Sequence, residues 1–406
     1  MGGPPPTRIV TTQPFASRSL SAMTPASSPP DKLRVIVAGG GVAALETVLA
    51  LADLAPERTD VTVLAPNSEF VYRPMTVAEP FAYGPAHRYP LASIVEDAGA
   101  RLLVGELVWV DPASRTIHTR SDEPIAYDAL MLALGATATK RYTHALTIDD
   151  RRMDETLHGL IQDVEGGYVR SLAFVSPGRM AWPLPLYELA LMTAARAYDT
   201  AIELSVTIVT PEDAPLAIFG DAVSNAVSER LEKAGIQTIS SAYAEIPAQG
   251  EVVINPGDRR LRVDRVIALP ELYGPSVRGI PLGEHGFIRI GPHAQVPDVG
   301  PIYAAGDATD FAVKYGGIAS QQADVAAQAI AALAGASITP EQFHPVIHGK
   351  LLTGGKPLYL TAQITGGHGF SSEIADIPTW SPAGKLGAKY LAPWLEGYDR
   401  KTASTQ

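Results

Sequence analysis

The stretch Leu33-Arg34-Val35-Ile36-Val37-Ala38-Gly39-Gly40-Gly41-Val42-Ala43-Ala44 decides the fold. Its first half is a short apolar run rich in β-branched residues, which reads as a buried strand. Three glycines follow at once. Val42 to Leu54 then reads as a buried helix, and Val61 to Leu64 as a second strand. Strand, glycine turn, helix, strand is the βαβ unit. Gly39 to Ala44 also fits G-x-G-x-x-A. In that pattern the first glycine makes the tight turn, the second lets the backbone approach a pyrophosphate, and the small third residue lets helix and sheet pack closely. The phosphates sit on the helix N-terminus, where free N–H groups and the helix dipole favour anions. One expected part is missing. An acid should end the second strand to bind a ribose hydroxyl, but Ala65-Pro66 stand there, and Glu69 is the nearest substitute.

Outward from this unit the grammar repeats. Leu172 to Val175 reads as a strand, Leu186 to Ala197 as a helix, Leu204 to Val209 as a strand and Asp221 to Ala234 as a helix. Between the units, Arg101 to Val110, Thr116 to Thr119 and Ala129 to Leu134 read as strands. Phe70 to Ser93 is irregular and proline-rich, but its aromatics argue for a functional loop rather than disorder. Later, Pro301 to Gly306 reads as a strand and Gly316 to Leu333 as a long Ala-rich helix. The expected fold is α/β, with two Rossmann-like domains, the second inserted in the first, helices covering both sheet faces, and a C-terminal module. The expected segments are a disordered leader over 1–30, a first domain over 31–165 and 271–342, a second over 166–270, and the module over 343–406.

Composition narrows the chemistry. The chain has 406 residues, ample for two or three domains, with 32 Lys+Arg against 43 Asp+Glu and a net charge of −11. A nucleic-acid surface wants a basic stripe, and none is present. The cysteine count is zero. That excludes disulfides, thiolate zinc sites, iron–sulfur ligation and every cysteine nucleophile or redox-active thiol pair. No stretch approaches the ~20 apolar residues of a membrane span. Met1 to Pro30 has no acidic residue and no apolar h-region, so it reads as a disordered leader or as an extended start before Met23, not a secretory signal. No metal site is expected, because Pro345 interrupts the spacing of His344 and His348. Lys356 and Pro357 likewise spoil a near match to a P-loop after Gly349.

Three spaced motifs now stand in one order: Gly39 to Ala44, Leu132-Ala133-Leu134-Gly135-Ala136, and Tyr303-Ala304-Ala305-Gly306-Asp307. With Lys314-Tyr315-Gly316-Gly317-Ile318-Ala319-Ser320-Gln321-Gln322-Ala323 after them, the chain resembles the two-dinucleotide-binding-domain flavoproteins, the pyridine nucleotide–disulfide reductase superfamily, over roughly Leu33 to Leu333. Within it, the thiol-free chain with its C-terminal module looks most like the type II NADH dehydrogenase and sulfide:quinone oxidoreductase branch. The resemblance implies FAD, held non-covalently. It implies that Gly39, Gly41 and Ala44 hold the pyrophosphate, that Ala133 to Gly135 line it from the other side, and that Val108 meets the adenine by backbone contact. Gly306 and Asp307 would follow at the domain seam, Asp307 accepting hydrogen bonds from ribityl or pyrophosphate-side hydroxyls. Gly316 and Gly317 would start a helix facing the isoalloxazine N1/O2 edge, with Lys314 adding positive charge or lying solvated on a loop. Glu188 falls where the family has a helix glutamate near the nicotinamide.

The departures are as informative. The second glycine turn reads Ser176-Pro177-Gly178-Arg179-Met180-Ala181-Trp182-Pro183, where bulk replaces bare backbone. Two readings stand for this unit, an NAD(P)H site or a scaffold without ligand. The C-terminal module places Leu386, Tyr390 and Trp394 at helical spacing beside Leu391, Leu395, Lys385 and Lys389. That is the pattern of an interfacial membrane helix, a homodimer interface or an intramolecular cap. The function expected is an FAD-dependent oxidoreductase passing electrons from a reduced donor, NAD(P)H or a small molecule such as an inorganic sulfur species, to a quinone or other acceptor. Its small-molecule donor and acceptor would be its partners, in the cytoplasm or at a membrane surface. The alternative is a catalytically degenerate flavoprotein scaffold.

Overall fold

The computed structural model describes residues 1–3, 32–121, 123–179, 182–364 and 370–404. The expected leader therefore lies almost wholly outside the described residues, as do Met180 and Ala181 of the second glycine turn.

Two five-stranded parallel sheets organise residues 32–404. The first contains β1 (Leu33–Ala38), β2 (Thr59–Ala65), β3 (Arg101–Val104), β4 (Ala129–Leu132) and a fifth strand, Ile302–Ala304, in the spatial order fifth, β4, β1, β2, β3. Helix α1 (Val42–Leu54) makes the crossover from β1 to β2, with Leu33 opposite Thr59 and Ala38 opposite Leu64. Val35 to Ala38 and Ala129 to Leu132 are buried, as strands covered on both faces must be. The chain winds outward from β1 to β3 and then returns to the other side of β1. The gap between the C-terminal ends of β1 and β4 is therefore a topological switch point, where open α/β sheets bind ligands.

The second sheet repeats the plan with β5 (Leu146–Thr147), β6 (Ser171–Val175), β7 (Ser205–Val209), β8 (Ile236–Ile239) and β9 (Arg265–Ala268), in the order β5, β9, β6, β7, β8. Helices α2 (Met153–Glu165), α3 (Leu184–Asp199) and α4 (Asp221–Lys233) share a core on one face of it. Strand β5 pairs in parallel with β9, and α2 packs into the second core, although the sequence placed both in the first segment of the first domain. A strand of two residues carries too little pattern to be assigned to a sheet. The outgoing and returning chains pair antiparallel, Thr137–Thr139 with Glu271–Tyr273, which is how the second unit is inserted in the first.

The helical covering expected on both faces occurs on one face only. The other face of each sheet carries a three-stranded antiparallel meander, Trp109–Asp111, Thr116–His118 and Ile125–Ala126 in the first unit, and Tyr243–Ala248, Glu251–Asn255 and Arg259–Arg262 in the second. Ile117 and Tyr127 are buried under the first sheet, and Val252 and Ile254 under the second. The expected strand Arg101 to Val110 is accordingly broken: β3 ends at Val104, and Trp109 begins the meander. The segment Phe70 to Ser93 is also more ordered than its composition suggests. It forms a hairpin of Glu69–Val71 with Arg88–Pro90, a 3-10 segment Arg73–Phe81, and the start of the helix Leu91–Asp97.

The fifth strand of the first sheet, Ile302–Ala304, is β10. Helix α5 (Gly316–Leu333) follows and packs along α1. The C-terminal part has an antiparallel sheet of β11 (Val346–Leu351), β12 (Leu358–Ile364) and β13 (Phe370–Ala375), then α6 (Leu391–Ala403). Ile347 and Leu360 join the second unit's core, whereas Leu386, Leu391 and Leu395 join the first unit's core. This is the intramolecular cap among the three sequence readings. Leu386 lies outside α6, and Leu391 and Leu395 turn inward, with Tyr390, Trp394 and Tyr398 partly buried against the same core. Lys385, expected on a basic face, is buried. Pro393 is tolerated because it lies in the first turn of α6, where its missing N–H has no helical acceptor. Glu46 of α1 caps that helix from outside it, accepting the N–H groups of Tyr390 at 2.9 Å and Leu391 at 2.6 Å.

Candidate functional site

The switch point is built from small residues. Gly39 has φ +133°, and a Cβ there would fall on the carbonyl oxygen of Ala133 at the end of β4. No other residue fits that turn. The Gly39 N–H donates to Leu64 O and the Ala133 N–H to Ala38 O, both at 2.8 Å, so the three strand ends are locked together. Gly41 differs. A Cβ at Gly41 would meet nothing within 4 Å, so its bare backbone faces open space. Gly135 is likewise open, with φ +72°.

Two helix N-termini meet here. A Cβ on Gly306 would lie 3.2 Å from Ala319 Cβ and 3.3 Å from Ala43 Cβ, and one on Gly316 would lie 3.6 Å from Val42 Cγ2. Only glycine and alanine allow α1 and α5 to start so close together. Ala44 and Gly317 are buried in the same seam. Neither helix has a side-chain cap, and neither has an acid in its first turn. Their free N–H groups and dipoles add positive potential at one place, with no carboxylate from either helix's first turn to cancel it. That fits the pyrophosphate of a dinucleotide at the open backbone of Gly41.

Asp307 follows Gly306 at the bottom of the crevice. It is half-buried, and burial pushes its carboxyl up from the usual range, while Lys314 and Arg73 oppose the shift and Asp150 adds to it. Lys314 is not a solvated loop lysine. Its side chain lies against the Phe287 ring, Nζ 4.2 Å from the centroid, and donates to Thr309 O. Burial lowers it to about 8, with Asp307 and Asp310 sustaining its charge. Gln322, which the sequence assigned no role, fixes the loop: its Oε1 accepts Gly306 N–H at 2.8 Å and the Thr309 hydroxyl at 3.3 Å. A glutamine within the Ala-rich run Gly316 to Leu333 was the available signal. Val108 is half exposed, but its N–H already donates to His118 O at 2.8 Å, so that donor is not available to an adenine. Glu69 lies 3.8 Å from Arg88 across the exposed hairpin.

Glu188 is placed differently from the expectation. It is buried, with Oε1 2.6 Å from Lys385 Nζ and 2.9 Å from the Leu352 N–H it accepts. Burial raises its pKa, and the Lys385 charge works against that. Its neighbours come from the C-terminal part. The Leu386 N–H donates to the Tyr72 hydroxyl at 3.0 Å, and Ser320 Oγ donates to Gly387 O at 3.2 Å. Leu386 Cδ1 lies 2.7 Å from where a Gly316 Cβ would be. Residues 384–388 thus form a strap across the start of α5, and Glu188 anchors it.

In the second unit the groups that would meet a nucleotide have internal partners. Arg179 lies 3.7 Å from Glu271 and over the Tyr273 ring at 4.4 Å. Glu212 follows β7, where dinucleotide-binding units carry a ribose-binding acid, a position the sequence analysis passed over. It accepts the Tyr187 hydroxyl at 2.7 Å and the Thr210 hydroxyl at 3.1 Å, and burial raises it to about 7. Trp182 stacks on Tyr315, the residue before α5, at 4.4 Å and 12°. Among the described residues no group of three or more His, Asp or Glu could hold a metal ion, and no helix is long and apolar enough to cross a membrane.

A family model for pyridine nucleotide-disulphide oxidoreductases matches residues 33–166 and 187–332. The chain belongs to that family. It is an FAD-dependent oxidoreductase of this class, and the gap within the match, 167–186, contains the altered second turn. Solved structures agree on the fold. The sulfide:quinone oxidoreductase of the hyperthermophilic bacterium Aquifex aeolicus is 17% identical, with a TM-score of 0.75 over 85% of this chain and 87% of that one. A ferredoxin reductase from Rhodopseudomonas palustris is 19% identical, with a TM-score of 0.65 over 84% and 88%. NDH2 from Plasmodium falciparum in complex with NADH is 16% identical, with a TM-score of 0.56 over 68% and 64%. No curated protein matches by sequence.

Proposed function

We propose that this family member carries FAD across the seam between β1 and β4 and passes electrons from a reduced donor to a quinone or a comparable acceptor. The observation that carries the reading is the meeting of two uncapped helix N-termini at a glycine seam with open backbone at Gly41. The quinone is suggested by the sulfide:quinone oxidoreductase, whose fold the chain shares over most of its length.

Bound FAD would supply the two-electron chemistry that no side chain here can perform. The chain's own residues bind and tune it. Gly39 and Ala44 set the turn so that the N–H groups after Gly41 face the pyrophosphate, with Ala133 to Gly135 on the far side. Val108 offers its side chain to the adenine rather than its N–H. Gly306 brings Asp307 to the sugar hydroxyls. Gly316 and Gly317 present the N-terminus of α5 to the N1/O2 edge, where negative charge on reduction is favoured by the dipole and by Lys314. Lys314 is the residue assigned an electrostatic role. Glu188 acts as the anchor of the strap and not as a group facing the donor.

Purified protein should show flavin absorbance bands, lose them under anaerobic dithionite, and regain them on addition of a short-chain quinone. Protein that takes up no FAD on reconstitution overturns the reading. Protein that binds and cycles FAD chemically but turns over with no donor and acceptor is the scaffold alternative, which the occupied groups of the second unit favour.

A further inference from the structure

We infer that Tyr243 and Trp182 close the dinucleotide cleft of the second unit, so that the donor to this chain's flavin is not a pyridine dinucleotide. The inference about the donor rests on the FAD reading above. The closure itself does not.

A dinucleotide site at the end of a parallel sheet needs bare backbone at the glycine turn, an acid after the second strand, and a clear path to the partner redox group. Each is occupied here by the chain itself. At the turn, a Cβ on Gly178 would lie 3.0 and 3.1 Å from two ring carbons of Tyr243, so the ring already stands in the space beside the glycine that a pyrophosphate would need. Tyr243 comes from the meander under the second sheet. Arg179, next to it, is committed to Glu271 and to the Tyr273 ring. After the second strand, Glu212 Oε2 accepts the hydroxyls of both Tyr187 and Thr210, which holds the carboxylate against the chain.

The path is closed by Trp182. Its indole is stacked on Tyr315 and lies 5.8 Å from the Phe219 ring. Tyr315 immediately precedes Gly316, and its hydroxyl accepts the His348 N–H at 2.9 Å, which holds the ring in place. The indole therefore stands between the glycine turn of the second unit and the N-terminus of α5. A nicotinamide reaching from one to the other would have to displace it. Two aromatic side chains from separate elements, Tyr243 exposed and Trp182 partly so, fill the two ends of one cleft. The donor left is a small reductant that needs no phosphate anchor.

Calorimetric titration of the holoprotein with NADH, NADPH and ADP-ribose tests the closure without reading flavin activity. No heat of binding at millimolar ligand is expected from the wild-type chain. The double variant W182A/Y243A is expected to bind ADP-ribose and NADH at least tenfold more tightly. Anaerobic NADH should leave the wild-type flavin bands unchanged while dithionite bleaches them. Dinucleotide binding by the wild-type protein, or bleaching by NADH or NADPH, overturns the inference. A folded double variant with no gain in binding overturns the assignment to these residues. Should that variant fail to fold, Y243A alone alters an exposed side chain and must show the gain for ADP-ribose. A chain without flavin would sink the FAD reading, while the calorimetry would still decide the closure.

Discussion

The ammonium of Lys385 lies 2.6 Å from the Glu188 carboxylate, and only 5% and 1% of the two side chains is exposed. This ion pair fastens the strap 384–388 to helix α3 of the second unit. A buried pair adds little net stability over an apolar pair, but removing one partner leaves a charge stranded in the interior. K385M should therefore cost about 3–5 kcal/mol in chemical denaturation. The double variant E188Q/K385M should recover more than half of that, because Gln still accepts the Leu352 N–H. Equal losses in single and double variants would show that packing of the lysine stem, not charge, holds the strap.

The glycines of the first turn separate a folding role from a binding role. At Gly39 a Cβ meets Ala133 O and the backbone has φ +133°, so G39A should lower the melting temperature of the apoprotein. At Gly41 a Cβ meets nothing, and φ is −96°, which any residue adopts. G41V should melt with the wild-type apoprotein yet bind FAD at least tenfold more weakly in fluorescence titration, because the new side chain occupies the space for the pyrophosphate. Wild-type affinity in G41V would place the cofactor elsewhere.

The glycine turn and the helix that meets it were legible in the sequence. Glycine turns carry a steric rule that does not depend on distant partners, and the run from Gly316 to Leu333 forms α5 with the expected bounds. What was not legible depends on contacts between remote segments. Lys385 and Glu188 are 197 positions apart, and the sequence placed one on the basic face of a C-terminal helix and the other beside a nicotinamide. Tyr243 covers Gly178 from a meander strand whose exposed–buried alternation says only that it is an antiparallel strand. The helix predicted from Leu386 begins at Leu391 instead, because Glu46 on α1 caps it there. Periodicity registers which residues are apolar, not where a distant carboxylate will stop a helix.

A buried acid pair makes stability depend on pH. Asp324 of α5 faces Glu46 of α1, with Lys389 and Glu341 also acting on it, and burial beside the Glu46 charge raises it to about 8. Its unfolded value is near 4. Between those values the folded state holds a proton that the unfolded state has released, so stability falls as pH rises from about 4 to 8. D324N, neutral at every pH, should match the wild type near pH 4, exceed it increasingly up to about pH 8, and hold that advantage above it in urea denaturation. Parallel pH profiles for the two proteins would mean that Asp324 is ionised in the folded state across the range.

Lys314 tests the placement of FAD proposed above through its charge. Burial lowers it to about 8, below its unfolded value near 10.4, so it is mostly charged at pH 7 and neutral well above pH 9. A positive charge near the N1/O2 edge favours the reduced, more negative flavin. K314M should make the midpoint potential of the bound flavin more negative by about 30 mV at pH 7, equivalent to about 1.4 kcal/mol for a two-electron couple. The difference should vanish near pH 10, where the wild-type lysine has lost its own proton. The variant should not be less stable at pH 7, because Met fills similar space without a charge to desolvate. A spectroelectrochemical titration that finds the same offset at pH 7 and pH 10 would assign the effect to altered packing around Phe287 and Thr309 and remove Lys314 from the electrostatics of the site.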